Sequence, residues 1–244
     1  MFGSQPLTAI KVRLGEPPPP LSAGLRAEID ALWCQEQARR GSGLFDGQIF
    51  SVREMAPPEL TGNFVPYRVW LAQRRRPDLF EALRLRPLAV SGLLCCADGI
   101  VFGRRGSLTT DHPAQWELVP SGGIEPGCVS GRRVEPLRQI LSEAKEEIGL
   151  AEDEVAALGM FGLIEDLTSH VIDLGIALAS PCSAAILCER HRTRGSDEYT
   201  ALSVVAESDL AGYIASPGSS LIPVSAELLR LWREKTVQAE APLD

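Results

Sequence analysis

No run of the chain approaches the roughly 18–20 consecutive apolar residues that span a bilayer. No basic region followed by an apolar core stands at its start either, so neither a membrane helix nor a secretory leader is expected. Positive charge is in deficit: 24 Lys and Arg against 32 Asp and Glu leave a net charge of −8. That balance argues against a general grip on nucleic acid through phosphate neutralisation. The six cysteines, Cys34, Cys95, Cys96, Cys128, Cys182 and Cys188, include no C-x-x-C pair. They read as small core residues in a reducing compartment rather than as disulfides or zinc ligands, and the expected setting is the cytoplasm. No internal repeat is visible. What the 244 residues do hold is 45% apolar content, ordinary for a globular protein and enough to bury a core. They fit one large domain, or one domain with a substantial extension.

The most informative stretch runs from Trp116 to Leu150. Leu137, Ile140, Leu141, Ala144 and Ile148 recur at three- and four-residue steps, which predicts a helix with one apolar face. Pro136 suits its first turn and Gly149 its stop. Beside the apolar stripe lie Glu143, Glu146 and Glu147. Carboxylates three and four residues apart are neighbours on a helix and repel one another unless a cation lies between them. A bare E-x-x-E-E is more often a solvated acidic face; the alternative is a cradle for a hard divalent cation such as Mg²⁺, which bridges carboxylates to phosphates. Upstream, Ser121-Gly122-Gly123-Ile124-Glu125-Pro126-Gly127 specifies a turn where backbone can approach a ligand closely.

Together these residues resemble the Nudix box, G-x5-E-x7-R-E-U-x-E-E-x-G-U with U aliphatic. Its end matches as Glu143-Ala144-Lys145-Glu146-Glu147-Ile148-Gly149-Leu150, and Trp116–Pro120 and Gly122–Gly127 resemble the usual lead-in. The departures are Ser142 where the family has Arg, Cys128 where it has Glu, and about six extra residues between turn and helix. The resemblance implies an α/β fold, a Nudix-type α/β/α sandwich with a mixed central sheet, preceded here by an N-terminal α+β extension. On that reading residues 1–86 form the extension, placed to cover substrate, 87–238 the hydrolase domain and 239–244 a frayed tail.

Along the chain, polar and apolar residues partly alternate over Thr8–Leu14, Pro17–Pro20 forms an extended spacer, and Leu21–Arg40 reads as a helix capped by Ser22 and ended by Gly41-Ser42-Gly43. Strands are expected over Gln48–Glu54 and 59–70, the latter ending at Tyr67–Trp70, with a helix over Leu71–Leu85 that Pro77 interrupts. Leu88–Cys96 is a near-continuous apolar run, as in a strand buried on both faces, followed by an Asp98-Gly99 turn and a returning strand. Leu158–Glu165, Val171–Ala179 and Tyr199–Val205 are further strands. Pro181–Cys188 is an apolar segment open to a helical reading, Glu189–Glu198 a charged loop, and Leu210–Ile214 and Ala226–Lys235 closing helices. This mixture fits the same sandwich.

The resemblance also implies a site. Nudix enzymes hydrolyse a nucleoside diphosphate linked to another group, with Mg²⁺ (Mn²⁺ as the alternative) stabilising the phosphate oxygens. Glu143 and Glu147 match the metal ligands, Glu146 a third ligand or the base, and Glu125 the glutamate of the lead-in. Outside the box, Glu198 is a candidate ligand or base, with His170 and His191 ranked below it. Arg138, one turn before Ser142, is the candidate to replace the missing Arg, and Arg132 and Arg133 are candidates to meet phosphate; the Arg74-Arg75-Arg76 run reads as a solvated helix end. Within the family the chain is most similar to the UDP-sugar diphosphatase branch, which also lengthens the box. There Phe45 and Tyr67 match aromatic substrate contacts, Arg105 a phosphate contact and Glu125 a further substrate contact. The expected activity is conversion of UDP-glucose or UDP-galactose to UMP and sugar 1-phosphate. The partner is then a small nucleotide sugar, with no nucleic acid and no membrane, on a monomer or homodimer. The alternatives are another nucleoside diphosphate derivative such as ADP-ribose, or a Nudix-fold binding module that has lost turnover.

Overall fold

The computed structural model of the protein describes residues 1–7, 9–40, 44–107, 112–216 and 220–240, the side chains of 40 and 237–240 excepted. Two strands come first, β1 (Phe2–Pro6) and β2 (Lys11–Leu14), then helix α1 (Ala23–Arg40), where the Ser22 hydroxyl accepts from Leu25 N at 3.3 Å. The expected Gly41-Ser42-Gly43 stop lies outside the described residues. Strands β3 (Gln48–Ala56) and β4 (Glu59–Pro66) form a hairpin, followed by α2 (Tyr67–Arg75) and the single turn α3 (Phe80–Leu83). One expectation is corrected here: Tyr67–Trp70 opens α2 instead of finishing a strand. The Asp46 carboxylate, far back in the chain, accepts from Arg68 N at 2.8 Å and supplies the helix start with a non-local cap.

β5 (Leu88–Cys96) and β6 (Gly99–Arg105) come next, then the short strands β7 (Trp116–Leu118), β8 (Ser121–Gly123), β9 (Val129–Ser130) and β10 (Arg133–Val134). They lead into α4 (Pro136–Ile148), with Gly149 in the left-handed region at φ 76° ending it. β11 (Ala156–Asp166), β12 (Ile172–Ala179), α5 (Ala184–Arg194), β13 (Tyr199–Val205), α6 (Leu210–Ala215) and α7 (Pro223–Glu240) complete the order. Glu189–Arg194, expected as a charged loop, is the second half of α5. Ser183 caps that helix, its hydroxyl accepting from Ile186 N at 3.4 Å, and Leu187 is its buried residue. Of the tail expected from residue 239, the first two residues belong to α7 and 241–244 lie outside the described residues.

An eight-stranded sheet runs β1-β11-β12-β5-β6-β13, with β7 on β6 and β8 on β5. The central pair β12/β5 is parallel, Leu174 opposite Val90, and its neighbours are antiparallel, so the sheet is mixed. A five-stranded sheet, β3-β4-β2-β10-β9, joins N-terminal strands to the extra residues of the box: Val12 on β2 lies opposite Val134 on β10. Alternation across the main sheet builds two cores. Val90 and Leu94, with Ile172, Leu174, Ile176 and Leu178, face Ile140, Ala144 and Ile148 of α4 and Leu187 of α5, and the core continues into Phe50, Val52 and Leu60 of the second sheet. On the opposite face Leu93, Phe102, Phe161 and Ala177 pack against Leu210 of α6 and Leu228, Leu229 and Leu231 of α7. Helices on both faces of a mixed sheet make the α/β/α sandwich. A third, smaller core holds α1, α2 and α3 together through Ile29, Val69, Leu79 and Leu83. Among the described residues no helix is long and apolar enough to cross a membrane.

One buried polar pair has a measurable consequence. On β12, Asp173 accepts from the Ser91 hydroxyl at 3.0 Å, and burial lifts its carboxyl to about 6, the Ser91 bond opposing the shift and Glu117 and Asp166 adding to it. A carboxyl whose folded value lies above its unfolded one binds its proton more tightly when folded, so this group removes stability as pH rises from about 4 to 6. Asp173→Asn is expected to shrink the wild-type loss of stability across that window by roughly 1–2 kcal/mol, read from urea midpoints at pH 4.5 and 7. An unchanged slope would contradict the burial argument.

Candidate active site

The box helix and the glycine turn meet as the sequence predicts. Glu147, on the buried side of α4, is 1% exposed, and its Oε2 accepts from Ser121 N of β8 at 2.9 Å. Its Oε1 lies 3.5 Å from the Tyr199 hydroxyl, which stands 3.1 Å from Ser121 Oγ. One turn back, Glu143 is half-buried and lies hard against Gly122: a Cβ there would come within 2.2 Å of Glu143 Oε1. Only glycine permits that approach. Gln139, a further turn back, donates from Nε2 to Glu143 Oε1 at 2.7 Å and accepts from Glu125 N through Oε1 at 3.2 Å. It thereby ties the helix to the glutamate turn.

Crowded acids dominate the electrostatics. Burial drives Glu147 well above the usual carboxylate range. Glu198, Glu143 and Glu117 push the same way against the Ser121 N–H. Burial likewise lifts Glu143 to about 7; Gln139 opposes this, while Glu146, Glu125 and Glu198 add to it. None of these principal influences is a cation. Glu198, on the turn before β13, is exposed by area, yet enough protein surrounds its carboxyl that desolvation raises it, with Arg105 pulling down and Glu146 pushing up. Ser196 N donates to Glu146 O at 2.9 Å and ties that turn to α4, while Gly106 N, just past β6, donates to Glu198 O at 2.8 Å. Glu143, Glu147 and Glu198 thus come within electrostatic reach of one another, and Glu146 within reach of Glu143 and Glu198, with exposed Glu125 beside Glu143.

Other expected roles are redirected. Arg105 does not stand free for a phosphate: its Nη1 donates to Glu117 Oε1 at 2.5 Å, and both side chains are largely buried. Arg138 is exposed and lines a cavity on another side of α4, so Gln139, not Arg138, supports the box carboxylates. The ring nitrogens of His191 face Glu147 O at 3.0 Å and Tyr199 O at 3.1 Å, which makes it a strut between α4 and β13 and not an open base. His170 stacks on Phe80 with ring centroids 3.6 Å apart, and its Nδ1 lies 3.6 Å from Glu165. Phe45 is 84% exposed on the approach to β3. Tyr67, whose N donates to Gly47 O at 2.7 Å, sits edge-on to Trp33 and Trp70, with centroids at 6.4 and 5.5 Å. Tyr67, Trp33 and Trp70 form an aromatic cluster on the N-terminal elements, and Phe50 N, donating to Ile124 O at 3.3 Å, links its strand to the glutamate turn.

Sequence reasoning missed Gln139, Tyr199 and Glu117. Only Gln139 left a signal, its four-residue spacing from Glu143.

The donor set suits a hard cation. A carboxylate as buried as Glu147 and crowded by other acids is a poor component of a fold and a good component of an Mg²⁺ site. Among the described residues, no three His, Cys, Asp or Glu side chains are gathered closely enough to grip a metal unaided.

No protein-family profile matches the chain, and no curated protein does. Solved structures similar to it include the MutT protein from Methanosarcina mazei Go1, 18% identical over 61% of this chain and 94% of that one, TM-score 0.43. A Nudix hydrolase from M. smegmatis, RenU, is 17% identical over 65% and 89% of the two chains, TM-score 0.44. A C. elegans Ap4A hydrolase is 14% identical over 62% and 97%, TM-score 0.39. Likeness at that distance carries no weight for chemistry, which rests on the box residues themselves.

Proposed function

We propose that this chain is a Mg²⁺-dependent Nudix hydrolase that cleaves the pyrophosphate of a nucleoside diphosphate sugar, with UDP-glucose or UDP-galactose giving UMP and sugar 1-phosphate. The observation that carries the reading is buried Glu147 on Ser121 N and half-buried Glu143 against Gly122, crowded together with Glu146 and Glu198. Glu143 and Glu147, with Glu146, would hold Mg²⁺ (or Mn²⁺), which when bound neutralises the phosphate oxygens. Water adds to one phosphorus as the bridging P–O bond breaks, and Glu198 or Glu146 takes the water's proton. Phe45 and Tyr67 offer faces for a base, and Glu125 a contact at the turn. Arg105 acts from its ion pair with Glu117, shaping the field around Glu198. Residues 87–238 would form the hydrolase domain and 1–86 the substrate-covering extension, in a cytoplasmic monomer or homodimer.

Incubation with Mg²⁺ and a panel of nucleotide sugars tests this. UMP and sugar phosphate from UDP-glucose are the expected products. Turnover of adenine substrates alone would retire the uridine assignment, and nucleotide binding without product would mark a binding module. Gln139→Ala is expected to raise the Mg²⁺ concentration needed for half-maximal rate by about tenfold, because groups that orient metal ligands typically contribute that much. An unaltered Mg²⁺ dependence would remove Gln139 from the site.

A further inference from the structure

A basic groove lies on another side of α4. There, a cavity of about 600 Å³ opens between β2, β10 and the first turn of the helix. Four cations line it, Lys11, Arg13, Arg133 and Arg138, against one carboxylate, Glu135. This local excess stands out on a protein of net charge −8. The cations come from three separate elements, so the fold gathers like charges that repel one another. Two are partly balanced: Arg13 Nε lies 3.2 Å from Glu59, and Arg133 Nε 3.8 Å from Glu135. Lys11 and Arg138 are exposed, and among the described residues neither has an ion pair.

We propose that this groove binds a soluble phosphate-bearing small molecule through Lys11, Arg133 and Arg138. Its volume falls within the range of small-molecule pockets, roughly 300–1,000 Å³. Its concavity suits a compact anion better than the flat surface of a bilayer. Guanidinium forks match phosphate oxygens in pairs, and the lysine adds a movable point charge. The site is distinct from the acid cluster. Successive helix residues turn by about 100°, so Arg138 points away from the direction that Gln139, Glu143 and Glu147 share. Occupancy would also clamp β2 to the box insertion, since Val12 and Val134 already pair there.

The test uses the full chain, with EDTA present so that the acid cluster has no metal with which to bind phosphate. Inorganic tripolyphosphate is titrated by calorimetry at low salt and the melting temperature followed in parallel. Saturable binding and a rise in melting temperature are expected. The paired change Lys11→Glu with Arg138→Glu should weaken binding at least tenfold, whereas Glu143→Gln with Glu147→Gln should leave it within twofold. If the reversals unfold the chain, Lys11→Gln with Arg138→Gln carries the same comparison. Any of three results overturns the proposal: no binding by the folded wild type at millimolar ligand, equal binding by the groove variants, or loss of binding in the acid-cluster variant. Sedimentation showing a dimer that the groove changes dissociate would overturn it too, since a second copy would then fill the groove.

Discussion

Glu147→Gln is expected to abolish hydrolysis while making the protein more stable. On the activity side, removal of this carboxylate, a metal ligand under the proposed function, should lower kcat by on the order of 10³-fold, about 4 kcal/mol of barrier. On the stability side the sign is opposite. The carboxyl is 1% exposed, sits among other carboxylates, and is raised well above its usual range, chiefly by burial. Because its folded value exceeds the unfolded one, the fold loses stability from this group as pH climbs beyond the ordinary carboxylate range. Glutamine keeps the shape and can still accept from Ser121 N, but it cannot ionise. The variant should therefore gain roughly 1–2 kcal/mol at pH 8 and little at pH 4. Melting curves at both pH values check this, and Mg²⁺ adds a second readout: it should raise the wild-type melting temperature at pH 8 and leave the variant's nearly unchanged. An active variant, or one less stable than wild type at pH 8, would mean that Glu147 is an ordinary core acid.

The same helix shows what could be read from the residues and what could not. α4 was legible because its signals are local: a period of 3.6 in apolar residues, Pro136 at one end and Gly149 at the other. β5 was equally plain, since a strand buried on both faces announces itself as an apolar run. By contrast, Tyr67–Trp70 has strand-like aromatics, and the cap that makes it helical comes from Asp46, more than twenty residues away. α5 buries only Leu187, which precedes its charged half, so that half shows no stripe. Within the site, the carboxylates follow from spacing, but their support does not. Gln139 took the place in which a cation was sought, and Tyr199 and Glu117 reach the cluster through strand pairing that no local pattern encodes. Nor could spacing show that β2 pairs with the box insertion.

Arg105→Met should be the most destabilising single change near the site, and the reason lies in its partner. Glu117 is 3% exposed, and burial raises its carboxyl although Arg105 pulls it down. With the guanidinium gone, a buried acid is left among Glu147, Glu198 and Tyr199. Breaking a buried pair from one side typically removes about 3–5 kcal/mol, most of it the penalty of the stranded charge. Because Arg105 is partly solvated, with 17% of its side chain exposed, about 3 kcal/mol is the expected loss in urea unfolding. Adding Glu117→Gln should recover most of it, since the stranded charge disappears with the acid. This double change separates two roles for Arg105. If it serves by holding Glu117, the pair of substitutions restores stability and leaves KM for the nucleotide sugar within a few-fold of wild type. If it also forks onto phosphate, stability returns but KM stays high, by the tenfold or more that a charge-assisted contact contributes. Failure of Glu117→Gln to recover stability would show that Arg105 is held by something other than that carboxylate.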